Sequence, residues 1–139
     1  MALNEDFEEV LEALQEIAER VPVPLDLPEH DDLVDIEEAI LLPIPPIYRD
    51  FLLHASDLII GSLEPATAAD PSSHSYLADM APEAWQRGLS RELLPICPCP
   101  EGYYAVNQDD EIVLWHFDGN TEEAAESIWH WARDIWANS

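Results

Sequence analysis

Lysine is absent from this chain, and five arginines stand against thirty acidic residues, for a formal net charge of −25. Phosphate backbones and anionic lipid surfaces are held through Lys and Arg, so direct nucleic-acid binding and membrane-surface attachment drop out first. Only four glycines occur and none sits in a phosphate-cradling loop; Gly-x-Ser-x-Gly and His-Glu-x-x-His are also missing. The two cysteines, Cys97 and Cys99, flank Pro98. A disulfide across one residue is strained, so two reduced thiols are expected. No apolar run approaches membrane-spanning length, and residues 1–6 lack the basic start and apolar stretch of a signal peptide, so a cytoplasmic protein is expected.

What the chain does contain is enough apolar material to fold. At 139 residues, 47% hydrophobic with five tryptophans, burial can offset ordering entropy despite the charge, and a single domain over residues 1–139 is expected. The acidity has two readings. It keeps the surface solvated, as in a salt-rich habitat, or it is complementary to a cationic partner, whose encounter such a field would accelerate.

Gly102 to Val106 and Glu111 to Phe117 are aromatic and β-branched runs joined by a short polar turn, which predicts a β-hairpin whose second strand is apolar on both faces and therefore central. Before it, Phe7, Val10, Leu11, Leu14, Ile17 and Ala18 predict an amphipathic helix over residues 4–20, capped by Asn4. Alternating prolines in 21–28 predict an extended connector. Asp31 or Asp32 is expected to cap a second helix that ends before Pro43, and Pro46 to open a third carrying Tyr48, Phe51 and Leu52. Residues 58–64 read as a first strand, 65–73 as a loop, and 73–88 as one helix kinked at Pro82 or two short ones. Residues 93–97 read as a short strand whose Pro95, unable to donate to a ladder, suits an edge or a bulge. Asn120 and Glu123 have capping-box spacing and predict a closing helix with Ile128, Trp129, Ala132 and Trp136 on one stripe. Together these predict an α+β fold: an antiparallel sheet of about four strands packed with N-terminal and C-terminal helices.

No catalytic constellation emerges. Cys97, Cys99 and His116 could converge on zinc if their strands were neighbours, but Cys-Pro-Cys lacks the usual ligand spacing. Asn107, Asp109 and Glu111 alternate through a turn without the glycine and closing glutamate of a calcium loop. Five histidines stand in no nucleophile motif, and carboxylates are too many for any pair to stand out. No enzyme, cofactor or metal is expected.

Spread along the chain is a second pattern. Leu42-Pro43 with Pro46-x-Tyr48-x-x-Phe51-Leu52, Leu63-Glu64-Pro65, His74-Ser75-Tyr76-Leu77, Trp85-x-x-Gly88, Leu94-Pro95-Ile96-Cys97, Gly102-x-Tyr104, Val113-x-Trp115-x-x-Asp118 and Trp129-x-Trp131 resemble the SUKH superfamily of the Smi/Knr type. The resemblance covers roughly residues 33–137. One departure is His54-Ala55-Ser56-Asp57, where the family carries Asn-Gly. The resemblance implies a single-domain SUKH-like α+β fold without catalytic residues. In bacteria it implies an immunity protein that neutralises a toxin, often a nuclease, whose phosphate-attracting surface would be basic. A regulatory scaffold for endogenous partners is the alternative. Expected contacts are Asp109, Asp110, Glu111 and Asp118, with Tyr76 or Trp85 as aromatic anchor, although turn acids also serve turn geometry. A monomer or weak homodimer is expected.

Overall fold

The periodic apolar positions near the N-terminus form α1 (Glu5–Ile17) in a computed structural model that describes residues 5–22 and 25–139. Phe7, Val10, Leu11 and Leu14 lie on its covered side, while Glu8, Glu9, Glu12 and Glu16 are exposed. Asn4, expected as its cap, and Val23 and Pro24 of the connector lie outside the described residues. In α2 (His30–Ile40) the N-cap is Glu29 rather than Asp31 or Asp32. The Asp32 carboxylate instead reaches back to accept from the Glu29 backbone N–H at 2.8 Å, the return half of a capping box. α3 (Pro46–Ala55) begins on Pro46, whose missing N–H costs nothing in a first turn, and buries Tyr48, Phe51, Leu52 and Ala55.

Residues 58–64 are not a strand. Their backbone groups are engaged elsewhere: Ile59 C=O accepts from the Glu19 N–H at 2.8 Å, and Leu63 C=O from Trp136 Nε1 at 3.3 Å. The apolar run therefore ties the end of α1 to the C-terminus instead of joining the sheet. Between residues 73 and 88 a single helix forms, α4 (Leu77–Gln86), with Pro82 inside it. Residues 73–76 precede it as a turn held by a parallel bridge between Thr67 and Tyr76.

Four strands, β1 (Leu94–Cys99), β2 (Gly102–Val106), β3 (Ile112–His116) and β4 (Thr121–Ala125), pair antiparallel in the order β1-β2-β3-β4. The expected four-stranded sheet is present, with β4 in the place given to residues 58–64. Asn120 and Glu123 do not open a helix: Phe117-Asp118-Gly119 turns the chain back, Gly119 adopting φ +96°, and the His116 N–H donates to Asn120 C=O at 2.8 Å. The closing helix is α5 (Ile128–Asp134), capped by Ser127, whose Oγ accepts from the His130 N–H. A short 3₁₀ turn (Trp136–Asn138) ends the chain.

Side chains of α5 join the layers. Trp129 meets Phe51 of α3 at 5.0 Å between ring centroids and Phe7 of α1 at 5.8 Å. Trp131, two positions on, meets Tyr104 of β2 at 5.5 Å. Both indoles are fully buried, so the sheet is held to the helices through α5, whose C-terminal Arg133 and Asp134 stay exposed. The other face of the sheet presents Tyr103 and Trp115 to the C-terminal end of α4, where a Cβ at Gly88 would sit 3.4 Å from the Trp115 ring.

Candidate protein-docking surface

Asp109, Asp110 and Glu111 share one turn, but not one orientation. Asn107 Oδ1 accepts from the Asp109 N–H at 2.9 Å and the Glu111 N–H at 3.0 Å, which closes the loop and leaves both acids exposed. Asp110 takes φ +66°, a conformation tolerated by Asp better than by most residues, and is 7% exposed. Its carboxylate accepts from the Tyr48 N–H at 3.1 Å and is further stabilised by the Ile47 N–H. Asp110 therefore serves as the N-terminal cap of α3, whose preceding residue, Pro45, supplies none. Burial nonetheless wins over these donors, and its pKa lies above the ordinary aspartate value.

Asp118 lies at the opposite end of β3, in the β3–β4 turn, where it accepts from Asn120 at 2.9 Å and stays exposed. Tyr76 precedes α4, half-buried; burial and the carboxylates of Asp35, Asp32 and Asp79 push its hydroxyl pKa up. Trp85, at the other end of α4, donates from Nε1 to Leu93 C=O at 2.8 Å and is capped by Arg91, 4.2 Å from its ring. The six expected contacts thus do not converge. Asp109 and Glu111 form one exposed group, and Asp118, Tyr76 and Trp85 stand at three other places.

Acidic residues are spread along the whole chain, whereas the five arginines are confined to positions 20, 49, 87, 91 and 133. Residues 92–132, which include the whole sheet, hold nine acidic residues and no arginine. Three of the five arginines are in ion pairs: Arg49 with Glu37 at 2.5 Å, Arg87 with Glu83 at 3.3 Å and Arg133 with Asp134 at 2.8 Å. Glu37 also accepts from the Ile44 N–H at 2.8 Å. Burial pushes its pKa up, but Arg49 and Ile44 together outweigh that and hold it below the usual glutamate value.

The thiols offer little chemistry. Burial pushes the Cys97 pKa up to about 12, with Cys99 adding to it, and its Sγ donates to Pro98 C=O at 3.3 Å. Cys99, half-buried, is also shifted up by burial and by Glu101. His116 faces Glu122 at 3.4 Å, and among the described residues no group of three or more His, Cys, Asp or Glu side chains could hold a metal ion. A cavity of about 210 Å³ beside Phe51 and Trp136 is mostly apolar, with Ser73, Ser75 and Thr67 hydroxyls bonded to one another at its rim. Among the described residues no helix is long and apolar enough to cross a membrane.

Sequence reasoning missed the β4 edge, because the spacing of Asn120 and Glu123 reads as the start of a helix. The signal that could have found it is Asp118-Gly119, a turn dipeptide that favours a second hairpin over a helix.

The fold is a small α+β domain with one antiparallel meander, helices locked together by tryptophans, and acidic turns and outer strand on the sheet. The family described as SUKH_5, SMI1-KNR4 cell-wall, matches residues 7–137, and the chain belongs to it. A crystal structure of a protein from Pseudomonas syringae pv. tomato is similar throughout, at 51% identity and a TM-score of 0.89, covering 95% of this chain and 99% of that one. Among curated proteins no match is found.

Proposed function

We propose that this chain is a non-enzymatic binding protein of the bacterial cytoplasm, an immunity protein that neutralises a basic toxin domain. The observation that carries the reading is the stretch from Glu92 to Ala132, which contains the whole sheet and no arginine and leaves eight of its nine acids exposed, all but the inward-turned Asp110. A nuclease must attract phosphate, and carboxylates placed on such a surface occupy the positions phosphates would take, with charge-assisted bonds to Arg and Lys. Complementary fields also accelerate capture. Membership in the SMI1-KNR4 family supports the reading, since its bacterial members include immunity proteins. No cofactor is needed for occlusion, and the chain would act as a monomer or weak homodimer. The test is to co-express the chain with whichever toxin-like domain the genes neighbouring its own encode. Complex formation and survival of the cells support the reading; failure of both removes it.

A further inference from the structure

We infer that the outer edge of β4 is the docking strand of this protein, and that its occupant is an extended, lysine- or arginine-bearing segment of a protein partner, added as a fifth strand. The inference rests on the proposed capture of a basic protein and names where and how it occurs.

Pairing fixes which backbone groups are open. His116 pairs with Asn120 through a hydrogen bond, and hydrogen-bonded and non-bonded positions then alternate along the antiparallel ladder. Thr121 opposite Trp115 and Glu123 opposite Val113 are the non-bonded positions, so their N–H and C=O groups point away from the sheet. Among the described residues no hydrogen bond from outside the sheet reaches those groups. The opposite edge is different: Ala66 N–H donates to Ile96 C=O at 2.7 Å, and Pro95 and Pro98 have no donor to offer. Exposed unpaired edges recruit strands unless something prevents it.

Beside the open edge, Val113 and Ala124 are half-buried in a groove of about 440 Å³ that also takes in Glu111, Glu123 and Glu126 and no arginine. Among the described residues none of these three carboxylates is in an ion pair. A second copy of this chain is a poor occupant, because edge-to-edge pairing would set the same carboxylates against one another. A basic strand suits both components. Its main chain meets Thr121 and Glu123, while long cationic side chains lay their stems over Val113 and Ala124 and bring their charges to the glutamates.

The probe is an alternating Lys-Val decapeptide, compared with the same peptide N-methylated at alternate residues, which keeps charge and side chains but removes the donors of one strand edge. The expected result is slowed amide exchange at Thr121 and Glu123 on adding the first peptide, binding that weakens with salt, and about tenfold or greater loss with the correctly phased methylated peptide. On the protein, Glu123→Pro removes the outward N–H and should match that loss, whereas Glu123→Gln should keep the amide protection. Equal binding of methylated and unmethylated peptides, or protection elsewhere than β4, overturns the inference. The full chain is then assayed with the adjacent toxin domain. If that complex forms and Glu123→Pro leaves it intact, the edge assignment falls while the proposed function stands; if no complex forms with either protein, the proposed function itself has failed.

Discussion

The Asp110 carboxylate accepts a hydrogen bond from the Tyr48 backbone N–H, 3.1 Å away and 62 positions earlier in the chain. One residue thereby closes a β-turn in the left-handed region and caps a helix, coupling the sheet to α3. Its substitutions should separate the two roles. Asp110→Ala loses the cap, about 1 kcal/mol, and places an alanine at positive φ, a further 1–2 kcal/mol or so. Asp110→Gly loses only the cap, and Asp110→Asn keeps both an acceptor and a tolerated backbone. Denaturant unfolding at neutral pH should rank stability Asn, then Gly, then Ala; an alanine variant as stable as the asparagine one would show that the bond contributes nothing.

Glu37 and Arg49 form a strut between α2 and α3, their side chains 22% and 20% exposed. Because Glu37 also takes the Ile44 N–H, it fixes the Leu42-Pro43 loop against both helices. Removing either partner leaves a partly buried charge uncompensated. Glu37→Gln and Arg49→Met should each cost roughly 1.5–3 kcal/mol, and the double substitution less than the sum of the two. A double-mutant cycle showing simple additivity would mean the two side chains do not interact.

Burial and raised pKa values predict that neither thiol is a nucleophile in the folded protein. A thiol-reactive disulfide reagent at mildly alkaline pH should leave Cys97 untouched and modify the half-buried Cys99 slowly, while both react at once in denaturant. Rapid modification of Cys97 in the native state would reopen a redox or metal role for the pair.

Legibility of the fold followed the range of the forces that set it. The hairpin over residues 102–117, α1 and α3 were readable because their apolar spacing and turn residues act locally. Residues 58–64 were misread because Leu58-Ile59-Ile60 satisfies a strand pattern, yet the Leu58 N–H goes to Ala55, the Ile59 C=O to Glu19, and the nearby Leu63 C=O to Trp136, 73 positions on. Asn120 and Glu123 fit a capping box in spacing alone, but Gly119 had already committed the chain to a hairpin. The same limit applies to the candidate surface. Asp109 and Glu111 are exposed as a polar turn suggests, whereas the inward role of Asp110 depends on a helix end far away in sequence, and the open edge of β4 exists only once the strand is recognised.

Stability should rise on mild acidification before it falls. Asp57 and Asp110 have folded-state pKa values raised by burial, so the folded protein binds their protons more tightly than the unfolded chain. Stability is therefore lost as pH climbs from the ordinary aspartate range through those raised values, and regained on lowering it. Glu37 acts with the opposite sign: its lowered pKa contributes stability that is present above its ordinary value of 4.5 and disappears as pH drops through the folded value. The surplus of carboxylates adds self-repulsion near neutrality, which protonation and salt both relieve. Thermal unfolding should accordingly show a Tm that increases from pH 7 toward the mildly acidic range, declines in stronger acid, and increases at pH 7 when about 0.5 M NaCl is added. Asp110→Asn should flatten the acid-side gain, and Glu37→Gln should remove part of the decline in stronger acid. A Tm that falls steadily from pH 7 downward, with no effect of salt, would mean that paired carboxylates rather than buried and mutually repelling ones govern the stability of this chain.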